Sequence, residues 1–220
     1  MQASKPTPWI RRIRGQAIPR ATPHTRPKRL RSRSPRTRPL AVAITGGIGA
    51  GKSEALAAFA RHGAATISSD AVVHDLYDDP EVQAALRERF GTSDREAVRD
   101  LAVADRDALL WLEGLLHPLV LARTEAWRAD LARLPDPPAL AVNEVPLLYE
   151  AGAEDRFDEV VVITAPRELR AERTQLDERE ERLISEEEKV RRADFSYVND
   201  GSLEDLDAFV AGVVSTLTER

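Results

Sequence analysis

Eight residues near position 50 combine the groups that bind phosphate. Residues 46–53 read Gly-Gly-Ile-Gly-Ala-Gly-Lys-Ser and match the pattern G-x-x-x-x-G-K-[ST]. The glycines let consecutive backbone N–H groups converge on phosphate oxygens, because no Cβ stands in the way. Lys52 is expected to reach the β- and γ-phosphates of a nucleotide, and the Ser53 hydroxyl to bind Mg²⁺. The loop predicts nucleotide binding, but alone it does not distinguish a kinase from a GTPase or a motor ATPase.

A carboxylate, Asp70, follows the second predicted strand. The carboxyl ends of parallel strands face the ligand crevice, so Asp70 is expected beside the phosphate loop. There it can orient an acceptor hydroxyl and accept its proton as the γ-phosphoryl group leaves. The alternative is that Asp70 only caps the next helix, since Asp is a favoured N-cap. Its position alone leaves both readings open.

The elements that must position these groups alternate between strands and helices. The predicted strands cover residues 40–45, 64–68, 140–145, 159–164 and 193–198. The predicted helices of the first part cover residues 53–62, 71–77, 81–90, 105–116 and 119–134. A long charged helix is predicted next, with Pro166 at its N1 position. Two more helices are predicted, one capped by Ser185 with Glu188 in a capping box and one over residues 203–219 capped by Ser202. This alternation predicts a three-layer α/β fold with a mainly parallel sheet.

Composition divides the chain at residue 40. Residues 1–39 hold 12 Lys or Arg, seven prolines and no Asp or Glu, whereas residues 40–220 hold 20 Lys or Arg against 37 acids, a net charge of −17. The absence of cysteine excludes disulfides, thiolate zinc sites and thiol catalysis. No run of 18 apolar residues predicts a membrane span, and no apolar segment predicts a secretory signal. We therefore expect a cytoplasmic location.

The first 39 residues are predicted to be a disordered basic extension, because they have too few apolar residues to form a core. One interpretation is a basic arm that contacts nucleic acid or anionic lipid. The other is an inert tail or a mis-assigned translation start ahead of a domain that begins near Leu40.

Five segments of the chain from Leu40 onward form an ordered set. They are residues 44–53 (Ile-Thr-Gly-Gly-Ile-Gly-Ala-Gly-Lys-Ser), Asp70, residues 115–119 (Leu-Leu-His-Pro-Leu), residues 145–150 (Val-Pro-Leu-Leu-Tyr-Glu), and residues 192–195 (Arg-Ala-Asp-Phe) with 199–202 (Asn-Asp-Gly-Ser). In this set the chain resembles the dephospho-coenzyme A kinase family. The resemblance implies a P-loop kinase core, substrate helices over about 71–134 and a mobile lid over about 167–192. It also implies transfer of the ATP γ-phosphoryl group to the ribose 3′-hydroxyl of dephospho-CoA, the final step of CoA synthesis.

The resemblance implies roles for individual residues. Asp70 matches the catalytic base, His117 a substrate-side position, and Arg173 the lid arginine that approaches the transferring phosphoryl group. Glu144 resembles the acidic position that helps hold Mg²⁺. The residues expected to contact ATP are Gly47, Gly49, Ala50, Gly51, Lys52, Ser53, Glu54 and Asn199.

Several of these residues also have a purely structural interpretation. Glu144 can be a partly buried strand-end carboxylate, His117 a helix-boundary histidine, and Asn199 a turn residue. The lid arginines can simply pair with glutamates on a solvated helix; they are Arg167, Arg170, Arg173, Arg179 and Arg182.

Four features depart from the family. Ser68 replaces an Asp, His74 an Arg and Glu54 a Ser or Thr, and the lid lacks the helix that normally ends in Arg-x-x-x-Gln. Two other functions compete with the leading one: a related P-loop kinase for another nucleotide or nucleoside, and a nucleotide-dependent nucleic-acid-binding protein that uses the basic arm. The acidic charge of residues 40–220 argues against a nucleic-acid surface on the domain. The oligomeric state is left open.

Overall fold

A five-stranded sheet forms the centre of the molecule. The computed structural model describes residues 38–174 and 183–219. The strands are β1 (Leu40–Thr45), β2 (Ala65–Ser68), β3 (Leu140–Glu144), β4 (Glu159–Thr164) and β5 (Phe195–Val198). Their order across the sheet is β2-β3-β1-β4-β5, and every neighbouring pair is parallel. This arrangement confirms the predicted α/β fold with a mainly parallel sheet.

Helices connect the strands. Those in the described residues are α1 (Lys52–Arg61), α2 (Ser69–Leu76), α3 (Pro80–Phe90), α4 (Arg95–Ala104), α5 (Arg106–Leu131), α6 (Arg167–Arg173), α7 (Glu186–Arg192) and α8 (Leu203–Thr218). A short 3₁₀ helix, Glu154–Arg156, precedes β4. The predicted cap of α8 is confirmed, because Ser202 and Asp205 form a reciprocal capping box. None of these helices is long and apolar enough to cross a bilayer.

The two faces of the sheet are both covered, which explains why the central strands are nearly continuous apolar runs. Val42 and Ile44 of β1 point to one face, where they join a core with Phe59 of α1 and residues of α8. Ala43, between them in the sequence, joins a second core with Leu148 on the opposite face. The period of two along β1 therefore places helices on both sides of the strand that leads into the phosphate loop.

Helices α2 to α5 pack around a third apolar cluster. We predicted two helices here, separated at His117 and Pro118, and this prediction was wrong: α5 runs unbroken from Arg106 to Leu131 with Pro118 inside it. Proline removes one backbone hydrogen bond from a helix and so favours a break. Here Leu116 before it and Leu119 after it both pack on the same cluster, and this shared packing outweighs the local cost.

Helix α4 was missed in the sequence. Asp94 caps it by accepting a hydrogen bond from the Ala97 N–H at 3.0 Å. Its buried residues are Val98 and Ala102, one turn apart, and the other eight positions are divided equally between charged and apolar residues. Because some of these apolar residues are exposed, the buried stripe is not evident in the sequence, although its two positions are enough to dock a short helix on α5.

The region expected to form the lid differs from the prediction. Pro166 is the N-cap of α6 rather than its first residue, and the helix ends at Arg173 because Thr174 is extended. The predicted long helix was therefore wrong; Arg179 and Arg182 lie outside the described residues, as do residues 1–37. Ser185 caps α7 as predicted, accepting from the Glu188 N–H at 3.2 Å. The Glu188 side chain, however, pairs with Arg191.

The start of β1 is held by Asp158. Its carboxylate accepts a hydrogen bond from the Ala41 N–H at 2.9 Å and two more from the Arg38 guanidinium, at 2.8 and 3.0 Å. Arg38, which precedes the strand, is thereby joined to the domain that the sequence places from Leu40 onward.

Candidate active site

The loop between β1 and α1 lies tightly against the sheet. Gly46 has a φ of 144°, and a Cβ there would overlap the carbonyl oxygen of Ile163 in β4. Gly51, with a φ of 95°, is the N-cap of α1, and the side-chain amide of Asn199 occupies the space that a Cβ would need. Asn199 is buried and donates to the Ala50 carbonyl at 2.9 Å. Only glycine fits at these two positions, and Asn199 supports the loop from behind.

Lys52 lies beneath this loop at the start of α1. Its side chain is buried, and Nζ donates to the Gly47 carbonyl at 2.9 Å. Burial lowers the pKa of Lys52, while the negative charges of Glu144 and Asp70 oppose that effect. The ammonium group is therefore a desolvated cation that an anionic ligand can stabilise.

Ser53 and Glu144 face each other across the carboxyl edge of the sheet. The Ser53 hydroxyl lies 3.4 Å from both carboxylate oxygens of Glu144, which is the last residue of β3. Burial raises the pKa of Glu144, and hydrogen bonds from Ser53 and Ser68 work in the opposite direction. Mg²⁺ prefers oxygen ligands and commonly takes one carboxylate together with hydroxyl, phosphate and water oxygens. The donor set fits this ion.

Asp70 follows β2, as expected, and lies in the first turn of α2. The strand ends at Ser68, which is also the N-cap of α2, so Asp70 is not the helix cap. Its side chain is exposed. Its charge acts on both Lys52 and Glu144, which places it on the phosphate-loop side of the sheet edge. An exposed carboxylate beside the loop is suited to contacting a second ligand.

Two arginines of α6 reach the loop backbone. Arg173 is exposed, and its Nη1 donates to the Gly49 carbonyl at 3.3 Å. Arg170 is buried; its Nε donates to the Ala165 carbonyl at 3.2 Å and its Nη1 to the Ile48 carbonyl at 3.4 Å. The start of the expected lid therefore covers the phosphate loop.

Comparison with known proteins shows the family to which this chain belongs. The family model for dephospho-CoA kinase matches residues 40–205. The curated dephospho-CoA kinase of Frankia casuarinae is 36% identical over 197 residues, which are 81% of this chain and 84% of that protein. The chain belongs to the dephospho-CoA kinase family. This family of kinases catalyses the final step of CoA biosynthesis.

Further dephospho-CoA kinases and solved structures agree with this assignment. The enzyme of Deinococcus radiodurans is 36% identical over 186 residues, 78% of this chain and 89% of that protein. The structure of the dephospho-CoA kinase from Campylobacter jejuni matches with a TM-score of 0.62 at 25% identity, over 81% of this chain and 97% of that one. A crystal structure of a Thermus thermophilus protein matches with a TM-score of 0.68 at 33% identity, over 82% and 99%.

The structure brings most of the expected site of this dephospho-CoA kinase family member together. Lys52, Ser53, Asp70 and Glu144 gather around the loop, and Asn199 contacts it from behind. Two expected residues stand apart from this group. Glu54 is exposed on the first turn of α1, and His117 is exposed in the middle of α5. Helix α5 packs on α2, so His117 belongs to the helical unit that contains Asp70.

Two residues that depart from the family pattern, Ser68 and His74, form side-chain hydrogen bonds in the structure. Ser68 lies opposite Glu144 in the register of β2 and β3, and its side chain forms a hydrogen bond with that carboxylate. His74 is one helical turn from Asp70, and Arg95 of α4 donates to its Nδ1 at 2.8 Å. A guanidinium group thus lies beside the position where the family usually has arginine.

Sequence reasoning missed the acidic and basic residues that α7 brings to the loop. The Glu186 carboxylate lies against Gly47. Lys189 is buried and forms an ion pair with Glu150 at 2.8 Å. The charges of both Glu186 and Lys189 act on Lys52. The sequence of α7 looks like an ordinary charged helix, and only the tertiary structure shows that one of its faces is buried.

Proposed function

We propose that this chain transfers the γ-phosphoryl group of ATP to the ribose 3′-hydroxyl of dephospho-CoA, giving CoA and ADP. The observation that supports this proposal best is the meeting of three charges at one sheet edge. The negative charges of Glu144 and Asp70 both act on the buried Lys52 beside the phosphate loop. Phosphoryl transfer to a hydroxyl needs a phosphate cradle, a metal-binding carboxylate and a base in this proximity.

The phosphate side of the proposed site consists of the loop, Lys52 and Arg173. The loop N–H groups and the Lys52 ammonium bind the phosphate oxygens of ATP, and Arg173 stabilises negative charge on the transferring group. Ser53 and Glu144 are the groups that would hold Mg²⁺. When bound, this ion would neutralise part of the charge on the phosphates and help align them.

The acceptor side of the proposed site is Asp70 with the helical unit α2 to α5. Asp70 orients the 3′-hydroxyl and accepts its proton as the bond to the γ-phosphorus forms. The substrate region over about 71–134 holds the rest of dephospho-CoA, with His117 as a contact, and residues of about 167–192 act as the lid. A cytoplasmic location for this reaction is part of the proposal.

The proposal is tested by measuring ADP release from MgATP by the full chain, with and without dephospho-CoA. We expect ADP release to depend on the acceptor. The substitution Asp70→Asn should lower kcat by about 10²- to 10⁴-fold, the usual contribution of a positioned base. Asp75→Asn is the matched control, because Asp75 is also exposed on α2. It removes one charge from the same helix, so a fall in kcat as large as that of Asp70→Asn would mean that the charge of α2, rather than a base at position 70, supports the reaction.

Two results would contradict the proposal. ADP release at the same rate without dephospho-CoA would indicate hydrolysis, or another acceptor. An Asp70→Asn variant with the parental kcat would show that Asp70 is not the base, even if the chain is a kinase. Chromatographic comparison of the product with authentic CoA and with its 2′-phosphate isomer would establish which hydroxyl reacts.

A further inference from the structure

A carboxylate lies on the surface of the loop that is expected to receive phosphate. Glu186, the first residue of α7, is so close to Gly47 that a Cβ on this glycine would overlap Oε1. Burial raises the pKa of Glu186, while the positive charges of Arg170 and Lys189 and the Gly47 backbone N–H oppose this rise by favouring the ionised form. An internal carboxyl group thus lies where the loop presents an N–H group to a phosphate.

The surroundings of Glu186 are those of an anion-binding site. Arg170 is buried in α6, and its Nη1 would lie 3.0 Å from the same Gly47 Cβ. Lys52 and Lys189 contribute two further buried positive charges. Three cations and a backbone N–H in a largely desolvated space bind an anion strongly. The carboxylate of Glu186 supplies one in the nucleotide-free chain.

The hydrogen-bonding capacity of the Glu186 carboxylate is used only in part. Its Oε1 atom is buried, and within the described residues no hydrogen bond reaches it. A buried acceptor without a donor costs free energy. Phosphate groups carry more charge and more acceptor oxygens than one carboxylate, so they can replace it and use the same cations more completely.

We propose that Glu186 is an internal occupant of the phosphate subsite, which bound nucleotide displaces, and that Arg170 then exchanges this carboxylate for a phosphate oxygen. Arg170 is thereby a phosphate-binding residue of the lid, in addition to Arg173. The inference rests on the proposed function only in taking ATP as the ligand. It also explains why a buried arginine and a partly buried carboxylate from two separate helices meet over the loop.

The apparent affinity for phosphate equals the intrinsic affinity multiplied by the fraction of molecules in which Glu186 has left the subsite. If about one molecule in ten has Glu186 displaced, removing its charge should tighten nucleotide binding about tenfold. The effect should be seen with any ligand that fills the subsite. It should be absent for a ligand that has the adenine and ribose but no phosphate.

The experiment is calorimetric titration of the full chain and two variants with three probes: ATP, inorganic tripolyphosphate and adenosine. Glu186→Gln should lower the Kd of ATP and tripolyphosphate about tenfold and leave that of adenosine unchanged. Glu187→Gln, an exposed neighbour on α7, removes the same charge from outside the subsite and should change each Kd less than twofold. Arg170→Gln should weaken both phosphate probes, again without affecting adenosine.

The proposal is overturned if Glu186→Gln binds tripolyphosphate equally or more weakly than the parent, or if Glu187→Gln gives the same gain. The titrations contain no dephospho-CoA, so they are independent of the acceptor. Tighter phosphate binding by Glu186→Gln together with acceptor-independent ADP release would support this inference and refute the proposed function.

Discussion

The two buried lysines of the site are expected to respond in opposite directions to the same substitution. Lys52 is 9% exposed, and the largest influence on its pKa is burial, which lowers it. Lys189 is 2% exposed, but it forms an ion pair with Glu150 at 2.8 Å. Lys52 is therefore available to an incoming anion, whereas Lys189 already has a carboxylate partner in Glu150. Substitution by methionine keeps the length of the side chain and removes the charge.

The expected magnitudes follow from these environments. Replacing a buried ion pair or triad by apolar groups of similar volume is often stabilising, by about 1–4 kcal/mol, and Lys52→Met removes one member of such a group of charges. Glu144 and Glu186 lose a favourable charge in Lys52→Met, so we expect a net gain near the low end, about 1 kcal/mol. For a domain of this size, that raises Tm by about 2–4 °C. Lys189→Met instead leaves the partly buried Glu150 without its cation and should cost about 3–5 kcal/mol, or roughly 10 °C.

The dependence on pH has a definite sign. The folded-state pKa of Lys52 lies below its ordinary value of 10.5, so the unfolded chain binds more protons between the two values. Stability contributed by this residue therefore rises as pH increases through that window. The advantage of Lys52→Met over the parent should be largest near neutral pH and should shrink as pH approaches 10.5.

The assay is thermal unfolding of the full chain, followed by circular dichroism from pH 7 to 10, beside calorimetric ATP titration. Lys52→Met should be more stable than the parent and lose ATP binding. Lys52→Arg is the control, because it retains a charge and should give no stabilisation. The reasoning is refuted if Lys52→Met unfolds at a lower temperature than the parent, or if Lys189→Met proves as stable as Lys52→Met.

Two further predictions concern the loop and its support. Gly46→Ala should lower the free energy of unfolding by roughly 3 kcal/mol, because a Cβ would overlap the Ile163 carbonyl at a φ of 144°. Urea denaturation measures this loss, and a loss below about 1 kcal/mol would contradict the prediction. Asn199→Ala should cost about 1–3 kcal/mol by leaving the buried Ala50 carbonyl without its donor. It should also weaken ATP binding, and unchanged values in both measurements would remove its supporting role.

Local signals predicted the parts of the structure that depend on near neighbours in the chain. The apolar run of β1, the glycines of the loop and the start of α1 are adjacent, so each supports the interpretation of the next. Ser53 was predicted from the motif of the loop, and Glu144 from the apolar strand that precedes it together with the resemblance to the family. The serine caps at Ser185 and Ser202 are also local hydrogen bonds.

Tertiary packing decided the features that the sequence did not reveal. Pro118 predicts a helix break, yet α5 continues because apolar residues on both sides share one cluster. Arg170 and Glu186 lie in helices with the composition of surface helices, yet Arg170 is buried and Glu186 is partly buried against the loop. Their roles depend on a contact between segments far apart in the sequence, which neither periodicity nor spacing encodes.

The register of the sheet has a consequence for synthesis of the chain. β1 lies in the centre, and Leu40 pairs with Leu140, one hundred residues later. At translation rates of about 5–20 residues per second, β1 waits roughly 5–20 s for β3 after it is made. During that time both edges of an apolar strand lack their partners, which makes the nascent chain prone to aggregation. The phosphate loop, although it is near the start of the sequence, can reach its final form only when the second half of the chain has left the ribosome.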